Sequence, residues 1–539
     1  MRVWLYGRWK RSGLFAGFRE RLHLHFSVIY PMREEMAEKK AVNITFIQIA
    51  VFLAGGGFLM SFGGRNASYI LFCLCILFLL QRYVTYAVFS RELCLLKEEM
   101  LAYLSRLTAL FASERDLEDA LGKAVDERQQ RMGTHGTFLS DMMDKNSLSG
   151  EKEEYLSQYV GNLATTHLAQ LYMVCELTDV YGDSNINGMS SFVTNINYIK
   201  ENVRGELLLY HKRKNEFAML SVISFIPFFL MRPMEMWARS VSASLLPYYE
   251  GKIELLGTAM VFVFTAVCFY LVQAFELPAE FMSEKSETGR NGFWKKADEK
   301  ISDIIGKIIY VNYGKSLKKS RFIEEALGIS LMDYYRKRLL WGAAGFGLGL
   351  FPAAEIFGRG VKTLPVGLFL AAAMSFIPYI SAAVKHNGFT KRKKSEVLML
   401  QTVILIMSSI KKITVDDILE NMEAFSRCYK KEIEKTVDMY REKGTDCLKE
   451  MTQEVTDENM THIFEGLAAC DKVEPDMAFS DLKEERNYYM ATLNEEALYT
   501  MKNEAALSKM LSFLPFCAVV LIKLVIPFVL DGLDKIGSF

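Results

Sequence analysis

Apolar positions along the chain gather into long blocks, separated by stretches where they recur every three or four residues. A helix needs about 20 predominantly apolar residues to cross a ~30 Å hydrocarbon core. Seven runs approach or meet that length: 44–64, 68–89, 216–232, 256–276, 339–358, 363–384 and 509–530. The third is the weakest, ending at Arg232-Pro233. Between the runs, 90–215 and 386–508 read as helical. Met100, Leu104, Leu107 and Phe111 step along one helix face, with Lys97, Glu98 and Arg106 elsewhere. Residues 397–407 are apolar nearly all round, which predicts a helix buried in a bundle; the run is too short to span and is interrupted by Gln401-Thr402. No strand pattern is visible, and 129–155, with Gly133, Gly136 and Gly150, reads as a loop.

Basic residues orient the runs. Residues 1–43 carry Arg2, Arg8, Lys10, Arg11, Arg19, Arg21, Arg33, Lys39 and Lys40; 283–338 carries thirteen more, and Lys385, Lys391, Arg392, Lys393 and Lys394 follow the sixth run. The turns 63–67 and 359–362 hold one and two, and the tail after Leu530 only Lys535. Seven crossings that start inside put every basic stretch in the cytoplasm and the C-terminus outside. The expected organisation is a basic cytoplasmic segment (1–43), a transmembrane hairpin (44–89), a helical bundle (90–215) and two transmembrane helices (216–276). A basic linker (277–338), a second hairpin (339–384), a second bundle (385–508) and a last transmembrane helix with an external tail (509–539) complete it. The first run starts too far from Met1 for a cleavable signal peptide.

Composition narrows the chemistry. Of 539 residues, 51% are hydrophobic and 24% charged, with 64 basic and 64 acidic side chains; zero net charge speaks against nucleic-acid binding. The 11 prolines, about 2% against a usual ~5%, leave room for long helices. Nine cysteines without a CxxC pair read as reduced thiols. The histidines offer no HExxH or Cys/His zinc spacing, and His23 and His25 read as surface or packing residues, so no metal is expected. Gly314-Lys315-Ser316 resembles the end of a P-loop, but the required earlier glycine is Ile309. Neither a cofactor nor catalysis is implied.

The chain also repeats itself. Lys214-Asn215-Glu216-Phe217-Ala218 leads into Ser224-Phe225-Ile226-Pro227-Phe228, and Lys502-Asn503-Glu504-Ala505-Ala506 into Ser512-Phe513-Leu514-Pro515-Phe516. The two align without a gap over fifteen residues with eight identities, which apolar composition alone does not produce. Early in each bundle a helix start is expected, at Asp116-Leu117-Glu118-Asp119 and at Thr414-Val415-Asp416-Asp417. The first run of each hairpin is glycine-rich, with Gly345 and Gly349 at GxxxG spacing. The resulting fold class is all-α: a multi-pass membrane protein with two duplicated cytoplasmic helical bundles. Candidate functional positions are the bundle–membrane joints (Lys214, Asn215, Glu216, Lys502, Asn503, Glu504), helix kinks at Pro227 and Pro515, and the intramembrane charges Lys523 and Glu355. An unpaired charge in the membrane costs about 2.5–3.5 kcal/mol on insertion scales. Lys523 either snorkels to the outer headgroups, the favoured reading, or pairs with Glu355 at similar depth.

A duplicated helical cytoplasmic domain whose copies each end in a membrane helix with a mid-helix proline resembles the polytopic platform proteins of type II secretion and type IV pilus machines. It is closest to the Tad (tight adherence) branch, in a fused, duplicated form. Leu110–Leu121 and Met407–Leu419 match the stretch between the family's first two bundle helices, without its usual glycine. The resemblance implies a non-enzymatic scaffold that couples a hexameric cytoplasmic ATPase to pilin-like subunits rising out of the bilayer. Its partners would be that ATPase, the pilins, membrane lipids and other copies of itself in a homo-oligomer. The alternative is a transporter permease with large cytoplasmic helical domains, for which membrane ionisable residues are few: Lys523, Glu355 and Arg82.

Overall fold

The computed structural model describes residues 22–23, 26–27, 29–30, 34–63, 67–126, 131–143, 166–186, 189–250, 252–276, 331–357, 364–410, 413–455 and 457–537. Among them the chain is helical except for loops, turns and one hairpin of two-residue strands, Asn185–Ile186 and Met189–Ser190, paired antiparallel. Four helical stretches are long and apolar enough to cross a membrane: Glu35–Gly57, Ser191–Val241, Gly257–Glu276 and Leu482–Leu533. The described residues of the runs 68–89, 339–358 and 363–384 also fall in helices, Ala67–Glu114, Leu331–Phe357, Leu364–Ser375 and Ile377–Ser408, apart from the turn at 376; several side chains there are outside the described residues.

The chain divides into two compact units, each drawn from both halves of the sequence. Unit one comprises 1–47, 87–214 and 392–500; unit two comprises 48–86, 215–391 and 501–539. Two of the boundaries fall inside or beside the repeated Lys-Asn-Glu motifs.

Unit one has one continuous core. Met100, Leu104, Leu107 and Phe111 on α2 (Ala67–Glu114, which follows α1, Glu34–Gly63) are buried, as the stepping pattern requires, and belong to the same cluster as Val403, Ile404, Ile418, Phe464 and Leu467 from the later stretch. Arg486 lies within this unit, fully buried. Its guanidinium donates to Asn202 Oδ1 (2.7 Å), Thr402 Oγ1 (3.0 Å) and the Tyr198 carbonyl, and lies over the Tyr198 ring at 5.1 Å. The basic N-terminal segment contributes too: Phe26 packs edge-on against Phe89, and Tyr30 and Lys40 both donate to Glu92.

Local structure departs from the sequence pattern in three places. The expected loop over 129–155 contains a helix, Met132–Met143. Its Gly136 sits where a Cβ would lie 3.1 Å from both Tyr103 and Val125, so the glycine allows close packing and does not mark a turn. Pro227 is no mid-helix kink. The chain breaks before it, with Met219 in the left-handed region (φ 59°), and restarts at Ile226–Val241 with Pro227 in the first turn, where its missing N–H costs nothing. The helix that holds the end of the third apolar run also continues beyond Arg232-Pro233 to Val241. Pro515 does lie inside a helix, Leu482–Val520, which passes into a π-helical turn, Leu521–Val525.

Candidate functional site

In unit two the helix Ile226–Val241 carries Arg232 and Glu235 one turn apart, and Lys252–Glu276 carries Glu254, Gly257 and Thr258. The π turn carries Lys523. These side chains converge. Lys523 Nζ is ion-paired with Glu235 Oε1 at 2.6 Å and donates to Thr258 Oγ1 (2.9 Å) and to the Glu254 carbonyl (3.4 Å). Arg232 donates to Glu235 Oε2 (2.7 Å) and is ion-paired with Glu254 Oε1 (2.7 Å). Two cations and two carboxylates therefore balance, each at most 8% exposed.

The surroundings fix this arrangement. A Cβ on Gly257 would come within 3.3 Å of Ile522 and 3.7 Å of Lys523 Cε, so the absent side chain makes room for the lysine stem. The extra residue of a π turn leaves main-chain groups to be satisfied elsewhere; Tyr249 donates its hydroxyl to the Lys523 carbonyl at 2.7 Å. Arg232 lies 5.7 Å above the Tyr69 ring, whose hydroxyl bonds the Phe229 carbonyl. Such a network compensates the desolvation of its charges and locks three chain segments together.

Lys523 thus does not snorkel: it is buried and paired with Glu235. The side chain of Glu355, its other expected partner, lies outside the described residues, as does that of Arg82. Arg232, Glu235 and Glu254 went unnoticed because the first two sit where the third apolar run fades, and Glu254 just before the fourth begins. The available signal was the repeat: Glu235 and Lys523 are 288 positions apart, as are Lys214 and Lys502.

The joint residues behave differently from a paired motif. Lys214, Asn215, Lys502 and Asn503 are exposed. Glu216 pairs with Lys509 (3.0 Å) and Glu504 with Lys391 (2.9 Å), in place of the lysines two residues before them. Exposed pairs of this kind contribute about 0–1 kcal/mol.

The helix starts are where the sequence puts them. Asp116 accepts from the Asp119 amide at 3.3 Å, and Thr414 and Asp417 form a reciprocal capping box. A second pair of caps came unannounced. Glu99 accepts from the Arg131 and Met132 amides, both at 2.9 Å. Glu396 accepts from Ser426 Oγ and from the amides of Arg427, Cys428 and Tyr429 at 2.8–3.0 Å. In each case the capped amide, Arg131 or Cys428, lies 32 residues on. Two residues before each glutamate, Lys97 and Lys394 pair with Glu206 and Glu496. No family model, no curated protein and no solved structure matches the chain.

Proposed function

We propose that the chain is the polytopic cytoplasmic-membrane platform of a Tad- or type IV-like pilus or a type II-like secretion machine. It acts as a scaffold between a hexameric cytoplasmic ATPase and pilin-like subunits. Unit one, with its water-compatible helices, is the part offered to the motor; unit two, built around the apolar runs, is the part offered to pilin helices in the bilayer. The N-terminus and both bundles face the cytoplasm, and seven crossings leave the C-terminus outside.

The observation that carries this reading is a contact rule. Positions 288 apart, equivalent under the Lys-Asn-Glu repeat, meet each other: Arg486 covers the Tyr198 ring in unit one, and Lys523 pairs with Glu235 in unit two. A gene duplication whose copies pack about a local two-fold produces contacts between equivalent positions, and the matching Glu99 and Glu396 caps, 297 positions apart, fit the same origin if the first copy carries nine more residues between its cap and its Lys-Asn-Glu motif. A duplicated helical domain joined to membrane helices is the architecture on which the resemblance to platform proteins rests. A permease reading has less support, because Arg232, Lys523, Glu235 and Glu254 of unit two compensate one another.

Two measurements on the full chain test this. Reporter tags inserted beside Asp116 and Asp417 should label from the same, cytoplasmic, side; labelling from opposite sides would end the platform reading. Affinity purification of the tagged chain from its native membranes should also retain an ATPase of the secretion type, and its absence from a complex that retains pilin-like subunits would remove the motor-docking role.

A further inference from the structure

We propose that Cys94, Glu98 and His211 form a binding site for a zinc-class divalent metal ion that joins helix α2 to the helix Ser191–Glu216. Cys94 and Glu98 stand one turn apart on α2, and His211 reaches them from a helix more than a hundred residues further along the chain. The three donor atoms face one another: Sγ to Nε2 is 4.0 Å, Sγ to Oε1 is 3.7 Å and Nε2 to Oε1 is 3.4 Å.

The triangle has nearly the size an ion requires. Tetrahedral zinc, with bonds of ~2.3 Å to sulfur and ~2.0 Å to nitrogen and oxygen, sets its ligands ~3.6, ~3.6 and ~3.3 Å apart in the same order. Closing the observed triangle needs movements of no more than ~0.4 Å, within reach of side-chain torsions. Ligand types match as well, because sulfur, imidazole and carboxylate together select zinc-like ions over calcium or magnesium. One thiolate and one carboxylate carry two negative charges, which a dication neutralises.

Exposure divides the ligands usefully. Cys94 is buried, whereas the Glu98 and His211 side chains are about half exposed, at 47% and 52%. The fourth coordination position therefore opens toward solvent, where water completes the tetrahedron. No sequence signature announces the site, since the only local spacing is a Cys-x-x-x-Glu step and the imidazole comes from a distant helix.

Burial pushes the Cys94 thiol up to about 11, with the Glu98 carboxylate adding to the effect. At neutral pH the metal-free thiol is consequently protonated. Binding replaces S–H by S–metal and releases one proton to solvent, so the affinity rises with pH. Lys97 and Lys214 nearby act in the opposite direction on the thiol, favouring the thiolate the metal needs.

The test uses the full chain in detergent, stripped with a chelator and titrated with Zn²⁺ and, separately, Co²⁺. The expected result is one equivalent of tightly held Zn²⁺ per chain and, with Co²⁺, a thiolate-to-metal charge-transfer band. Cys94→Ser should abolish that band, and Glu98→Gln and His211→Gln should weaken Zn²⁺ at least tenfold while helical circular dichroism stays unchanged. Because Glu98 and His211 are solvent-facing, their replacement tests the site without emptying the core. Wild-type Zn²⁺ affinity in both of those variants, or a charge-transfer band that survives in Cys94→Ser, would overturn the proposal.

Discussion

Lys523 illustrates how much a single residue depends on its neighbours. The ammonium is 3% exposed, and its burial is tolerated because Glu235 supplies the opposite charge while Thr258 and the Glu254 carbonyl accept its hydrogen bonds. Glu235→Gln removes the charge partner and leaves the lysine buried, so it should destabilise the protein by about 3–5 kcal/mol. Adding Lys523→Met should recover most of that loss, read as the thermal unfolding midpoint in detergent. Unchanged midpoints in both single variants would place Lys523 in a solvated setting instead. His135 gives a second residue-scale expectation. It is 2% exposed, its Nε2 lies 3.1 Å from the Ile29 carbonyl, and burial pulls its pKa down from 6.5 to about 4. Between those values the unfolded chain binds a proton that the folded chain does not, so stability falls as pH drops through this window. The loss reaches about 3 kcal/mol near the lower end. His135→Gln should flatten that part of the pH–stability profile, and an unchanged slope would assign acid sensitivity to other groups.

At the scale of elements, helix faces and helix starts were legible in the sequence, and helix partners were not. Met100, Leu104, Leu107 and Phe111 declared their buried face by spacing alone, and Asp116 and Thr414 their caps, because both signals lie within a few residues of chain. Glu99 and Glu396 look like ordinary surface glutamates, since what they cap begins about thirty residues later. Gly133 and Gly136 misled for the opposite reason: a glycine that permits close packing has the same letter as one that turns the chain. Glu396 carries a clear cost if lost. Its carboxylate satisfies three main-chain amides and one hydroxyl ahead of the helix Lys430–Lys443. Glu396→Ala should destabilise the protein by about 2–3 kcal/mol, because buried amides left without acceptors bear the full desolvation penalty. Hydrogen exchange should speed up over 427–432, with Glu99→Ala having the matching effect over 131–135. Unaltered protection at both places would mean that these carboxylates are replaceable by water.

For the whole molecule, the decisive feature is that halves of the sequence are not halves of the structure. Each compact unit takes chain from both sides of residues 277–330: unit one joins 87–214 to 392–500, and unit two joins 215–276 to 501–539. The two bundles therefore share one apolar core, and Arg486 from the second is buried against Asn202 and Tyr198 of the first. In unit two, Lys523 from the second half satisfies Glu235 from the first. A half expressed alone would expose its side of the core and strand a buried charge, the latter alone costing about 3–5 kcal/mol out of the ~5–15 kcal/mol that holds a typical domain folded. Cutting the covalent chain within 277–330 should matter far less, because the noncovalent contacts between halves remain. Residues 1–300 and 301–539 produced together should copurify as a complex with near-native helicity and one unfolding transition, whereas each produced alone should aggregate or be degraded. Size-exclusion chromatography in detergent separates the outcomes. If 301–539 alone ran as a monodisperse, cooperatively unfolding species, the bundles would be independent domains, and equivalence under the repeat would describe ancestry without describing the fold.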